Sequence, residues 1–69
     1  MDLDALYEVL IDDVEIQVWC PNEPDFTDGI IYEGGLYKSH KVVAPYMYRR
    51  IVQIEVDDHG KLYVCIDGE

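Results

Sequence analysis

A chain of 69 residues with a formal net charge of −10 has room for one domain, 1–69, and is expected to avoid naked nucleic acid. An apolar share of 49% argues against disorder, and two cysteines are too few for a disulfide scaffold. No apolar run approaches the ~20 residues of a membrane span, and no secretory apolar segment follows the acids that begin at Asp2, so a cytoplasmic, reducing setting is expected.

The chain opens as a short helix. Asp2 suits the N-cap, Leu3, Leu6, Tyr7 and Leu10 fall on one helical stripe, and Asp12 and Asp13 end the element. Val14 to Cys20 alternates as a strand, with Val14, Ile16, Val18 and Cys20 on one face and Glu15, Gln17 and Trp19 on the other. Pro21 and Pro24 break any ladder, so Pro21 to Asp28 reads as a loop. Gly29 to Glu33 reads as a second strand. Gly34-Gly35 reads as a turn into a third, about Leu36 to Val43. Pro45 to Arg50 has the makings of one helical turn.

Ile51 to Asp57 and Lys61 to Ile66 flank Asp58-His59-Gly60, where Gly60 suits the left-handed position of a three-residue hairpin loop. That register pairs Asp57 with Lys61, Val56 with Leu62, Ile54 with Val64 and Val52 with Ile66. It pairs Glu55 with Tyr63 and Gln53 with Cys65 on the other face. The expected fold class is α+β: a short N-terminal helix packed on an antiparallel sheet of about five strands, able to curl into a small half-barrel.

The soft metal ligands are Cys20, His40, His59 and Cys65. They match the inventory of a structural zinc site, but no Cys-x-x-Cys or His-x-x-x-His spacing is present. His59 sits at the hairpin tip, too far from Cys65 at ~3.3 Å per residue to share an ion. Cys20, His40 and Cys65 can still converge from three strands. In the simpler reading no cofactor is needed: Cys20 is a small core residue, Cys65 a half-exposed strand residue, and the histidines are surface groups. Glu23, Asp25 and Asp28-Gly29 form an oxygen-rich loop without the EF-hand order. Catalysis is not expected, because the lone serine, Ser39, has no recognisable partner and no phosphate loop is present.

Charge is the strongest signal. Residues 1–37 carry ten acids and no base: Asp2, Asp4, Glu8, Asp12, Asp13, Glu15, Glu23, Asp25, Asp28 and Glu33. From Lys38 onward five acids meet five bases, among them Arg49 and Arg50 between tyrosines. Arg49 and Arg50 are best read as pairing with local acids at the surface. Trp19, on the polar side of its strand, is of the type that anchors protein interfaces. A compact chain of this length has a radius of gyration near ~11 Å and spans roughly 28 Å. Duplex DNA carries roughly 16 phosphates over that span, at one per ~1.7 Å. The acids therefore approach the charge of a DNA face and fit a basic protein surface.

In size, acidity and aromatic content the chain resembles the anti-CRISPR proteins of phages and mobile elements. Several such families inhibit type II CRISPR nucleases by occupying basic surfaces meant for guide or target DNA. The resemblance spans the chain but includes no residue motif, so it transfers no site residues. It implies a non-enzymatic inhibitor in a host bacterial cell. The residues expected to meet such a nuclease come from the charge and aromatic reading instead: Asp2, Asp4, Glu8, Asp12, Asp13, Glu15, Trp19, Glu23, Asp25 and Asp28. Two other readings stand beside it. One is a nucleotide or small-molecule module lined by Tyr32, Tyr37, Tyr46, Tyr48, Arg49 and Arg50. The other is an accessory protein, monomeric or assembled as a small homo-oligomer through strand edges.

Overall fold

A computed structural model describes residues 1–21 and 29–68. The elements run α1 (Leu3–Val9), β1 (Glu15–Trp19), β2 (Ile30–Gly35), α2 (Leu36–Val43), a 3-10 turn (Ala44–Tyr46), β3 (Ile51–Val56) and β4 (Leu62–Ile66). The class is α+β, as expected. Among the described residues the sheet has four strands in the order β2-β1-β4-β3. It is mixed, because β1 and β4 run parallel while the outer pairs are antiparallel.

The segment 36–43, expected as a strand, is the helix α2. Its buried residues Leu36, Ser39 and Val43 recur at helical spacing, not in alternation. The first two helical N–H groups find acceptors in the loop before β1. Leu36 N–H donates to Val14 O at 2.8 Å, and Tyr37 N–H donates to Asp13 Oδ1 at 3.2 Å. Gly34 does not turn a hairpin but remains in β2, where its φ of +151° excludes ordinary side chains. A Cβ there would lie 2.8 Å from the Tyr32 hydroxyl, which donates to Gly35 O.

Two expectations hold at the ends of the chain. Asp2 caps α1 by accepting from Ala5 N–H at 2.9 Å, and Leu3, Leu6 and Tyr7 are buried beneath it. The β3–β4 hairpin closes through Asp57 N–H to Lys61 O at 3.0 Å, with Gly60 at φ +83°. Its register is the expected one from Val56↔Leu62 to Gln53↔Cys65. Beyond Gln53 it changes: a bulge removes Val52 from the ladder and sets Ile51 opposite Ile66. The bulge delivers Ile51 N–H to Met1 O at 2.8 Å, tying the N-terminal segment to the start of β3.

Register assigns the faces. Tyr32, Val18, Val64 and Ile54 form one row across the sheet, and Gly34, Ile16, Leu62 and Val56 the next. Both helices contribute to the core on this side, where Leu3, Leu6, Tyr7, Leu36 and Val43 cluster with Ile16, Val18, Val64 and Ile66. The opposite face carries the rows Glu33-Gln17-Tyr63-Glu55 and Ile30-Trp19-Cys65-Gln53. Among the described residues no helix is long and apolar enough to cross a membrane.

A candidate acidic interface

The described acids divide by the work they do. Asp2 is committed to the α1 N-cap and Asp13 to the start of α2. Asp57 accepts from His59 N–H and Lys61 N–H, both at 2.9 Å, and from the Tyr63 hydroxyl. These donors, Lys61 N–H foremost, hold its carboxyl below the ordinary value. Glu33 pairs with Lys61, whose ammonium also lies 5.2 Å from the Tyr63 ring centroid. The hydrogen bond to Glu33 is the main cause of an upward shift at Lys61. Asp67 pairs with Arg50 at 3.1 Å.

Asp4, Glu8 and Asp12 are different. All three are exposed, and no hydrogen bond or ion pair holds their carboxylates among the described residues. Asp4 and Glu8 are four apart on α1, so they share its outer stripe. A like-charged pair at that spacing opposes the helix by ~0.2–0.5 kcal/mol. Exposed apolar side chains lie among these acids: Val9 is 69% exposed and Ile11 81%. Tyr37, also exposed, donates its hydroxyl to Ile11 O at 2.8 Å. The outer side of α1 and the turn after it thus combine unpaired negative charge with aliphatic and aromatic surface.

Glu15 does not continue this line. Its register with Gly35 places it on the sheet face opposite the helices. Trp19 is on that same face, half-buried in its row between Ile30 and Cys65. Glu23, Asp25 and Asp28 lie outside the described residues. The signal that sequence reasoning missed was the exposed aliphatic pair Val9 and Ile11, which fall off the buried stripe of Leu3, Leu6 and Tyr7.

The proposed metal ligands are spread over the fold. Cys20 is buried in the core with Ile16 and Val18. Cys65 is 5% exposed, more buried than expected, and burial is the main reason its thiol is pushed up. His40 is on helix α2 instead of a strand, exposed, with its ring edge-on to Tyr7 at 4.9 Å. The three-strand convergence therefore loses its third strand. Among the described residues no group of three or more His, Cys, Asp or Glu side chains could hold a metal ion.

The tyrosine–arginine set assembles only in part. Arg49 lies 5.5 Å from the ring centroids of both Tyr46 and Tyr48, and donates to Asp67 O. Tyr32 and Tyr37 spend their hydroxyls on backbone carbonyls of Gly35 and Ile11. Compared with protein-family models, curated proteins and solved structures, the chain finds no match.

Proposed function

We propose that this chain is a small acidic inhibitor that binds a basic nucleic-acid-handling surface of a partner enzyme. The outer side of α1 and the turn after it would make the contact. The observation that carries the reading is the set Asp4, Glu8 and Asp12: exposed, without partners among the described residues, and set beside Val9, Ile11 and Tyr37. Uncompensated like charge costs stability, and a lysine- and arginine-lined groove would return it. Val9, Ile11 and Tyr37 would add the apolar anchoring that protein interfaces concentrate in a few residues. The molecule is 30 Å long, enough to cover roughly 18 duplex phosphate positions at ~1.7 Å each. Its size and acidity favour a CRISPR nuclease as the enzyme, with guide or DNA loading as the blocked step.

Capture on an immobilised type II CRISPR nuclease tests this. Affinity should fall at least ~10-fold between about 50 and 200 mM salt, as phosphate-like contacts do. The triple variant D4K/E8K/D12K should lose binding while its thermal melt stays near that of the parent. Unchanged affinity in either arm would refute the reading.

A further inference from the structure

The sheet has an open edge whose side chains match a second copy of themselves. Strand β3 is the outermost strand on its side. Asp57 N–H donates to the carbonyl of Lys61, just ahead of β4, so by antiparallel alternation Glu55 and Gln53 also face β4, whereas Ile54 and Val56 turn their backbone groups outward. At the start of β3 the edge is closed, because Leu3 N–H reaches Arg49 O and Ile51 N–H reaches Met1 O. Among the described residues Val52 to Val56 has no strand on its outer side.

This open segment is unusually apolar for a sheet edge. Val52 is 54% exposed, Ile54 41% and Val56 61%. Ile54 and Val56 share the row positions of Val64 and Leu62, but the core reaches β3 at Ile51 and leaves Ile54 and Val56 exposed. The segment lacks the lysine, proline or inward charge that commonly guards an edge. Its bulge, at Val52, adjoins the closed end and leaves Gln53 to Val56 in regular register.

We infer that β3 pairs antiparallel with β3 of a second copy, about a two-fold axis at Ile54, joining two four-stranded sheets into one. In that register Ile54 faces Ile54, Val52 faces Val56, and Gln53 faces Glu55 of the other chain. Apolar meets apolar throughout, and the one charged side chain meets an amide. The fit of that pair is visible within one strand, where Gln53 Nε2 already donates to Glu55 Oε2 at 2.6 Å. Slipping the axis to Glu55 would set two glutamates directly opposite, which is unfavourable, and slipping it to Gln53 would set Glu55 against the apolar Ile51 at the closed end. A five-residue edge buries less than a standard interface, so the dimer is weak and concentration-dependent. Each copy carries −10, so added salt strengthens this association. That response is opposite to the one expected of the acidic interface, which keeps the two readings separable.

Sedimentation equilibrium on the full chain from about 10 μM to 1 mM, at low and moderate salt, tests the inference. A monomer–dimer equilibrium that tightens with salt is expected. I54K should weaken it at least tenfold with little change in the melt. Q53E, which sets carboxylate against carboxylate, should weaken it too, and Q53E/E55Q, which restores the opposed pair in reverse order, should recover it. A monomer at every concentration, a dimer indifferent to I54K, or failure of the double variant to recover would overturn the pairing.

Discussion

The Tyr7 hydroxyl lies 2.7 Å from Ser39 Oγ, joining α1 to α2 inside the core. The serine proton is already given to Leu36 O at 2.5 Å, so the tyrosine is the donor. Burial is the main cause of an upward shift at Tyr7, which keeps the phenol neutral and able to donate. Two helices whose bonded residues lie 32 positions apart are thus held by one short polar chain that is fully satisfied.

Removing either end should cost different amounts. Ser39→Ala leaves a buried phenol without an acceptor, a loss of ~1–3 kcal/mol. Tyr7→Phe leaves the serine still donating to Leu36 O, and should cost ~1 kcal/mol. Because both substitutions remove the same Tyr7–Ser39 bond, the double variant should be less destabilised than the sum. Urea titrations of the three variants measure this. Strict additivity would show that the two groups do not interact.

Asp12 and Asp13 are neighbours in sequence with separate expected effects. Asp13→Ala removes the acceptor at the start of α2 and should lower stability by ~1 kcal/mol. Asp12→Ala should leave stability within ~0.5 kcal/mol. Thermal melts of the pair check it; equal losses would contradict the assignment of Asp13 as the acceptor at the start of α2.

Acid should act on the hairpin through Asp57. Its carboxyl is held below its ordinary value in the folded chain by Lys61 N–H, with His59 N–H and the Tyr63 hydroxyl contributing. A depressed folded value means that the stabilisation is complete above the unfolded value near ~pH 4. It is lost as pH falls through the folded value. The stability difference between parent and Asp57→Ala, read by urea titration, should therefore be constant at neutral pH and shrink below about pH 4. A difference that stays constant down to about pH 2 would rule the mechanism out.

Both described thiols are buried, so an alkylating reagent should reach them only when the structure opens. Labelling of Cys20 and Cys65, followed by mass, should be slow in buffer and fast in urea. Burial also pushes the Cys65 thiol up, which slows it further by lowering the thiolate fraction. Rapid labelling of Cys65 in buffer would contradict its placement.

Local chemistry was readable where the deciding residues are neighbours. The Asp2 cap and the Gly60 hairpin each lie within five residues of what they organise, and both are present as expected. Helix α2 departs from the expected strand because its start is satisfied from afar: the acceptor for Tyr37 N–H is on Asp13, 24 residues earlier. Gly34-Gly35 looked like a turn, yet Gly34 is small because the Tyr32 ring lies over it. The bulge at Val52 follows from the Met1–Leu3 segment lying beside β3, which no local pattern announces. At the candidate interface the charges were visible in sequence. Which acids were already employed was not, since the partners of Asp13 and Glu33 are distant along the chain.

The parallel pairing of β1 with β4 sets an order of events during synthesis. Ile16 meets Leu62, and Val18 meets Val64, partners separated by about two thirds of the chain. The centre of the sheet cannot close until the last strand has left the ribosome, and pairing across so long a loop is slow. Until then β1 has only β2 as a neighbour, and the apolar strand Ile51–Val56 has none in the final sheet. The nascent chain therefore passes through a period in which its most adhesive segment is uncovered, and its dense early negative charge is well placed to keep such chains apart.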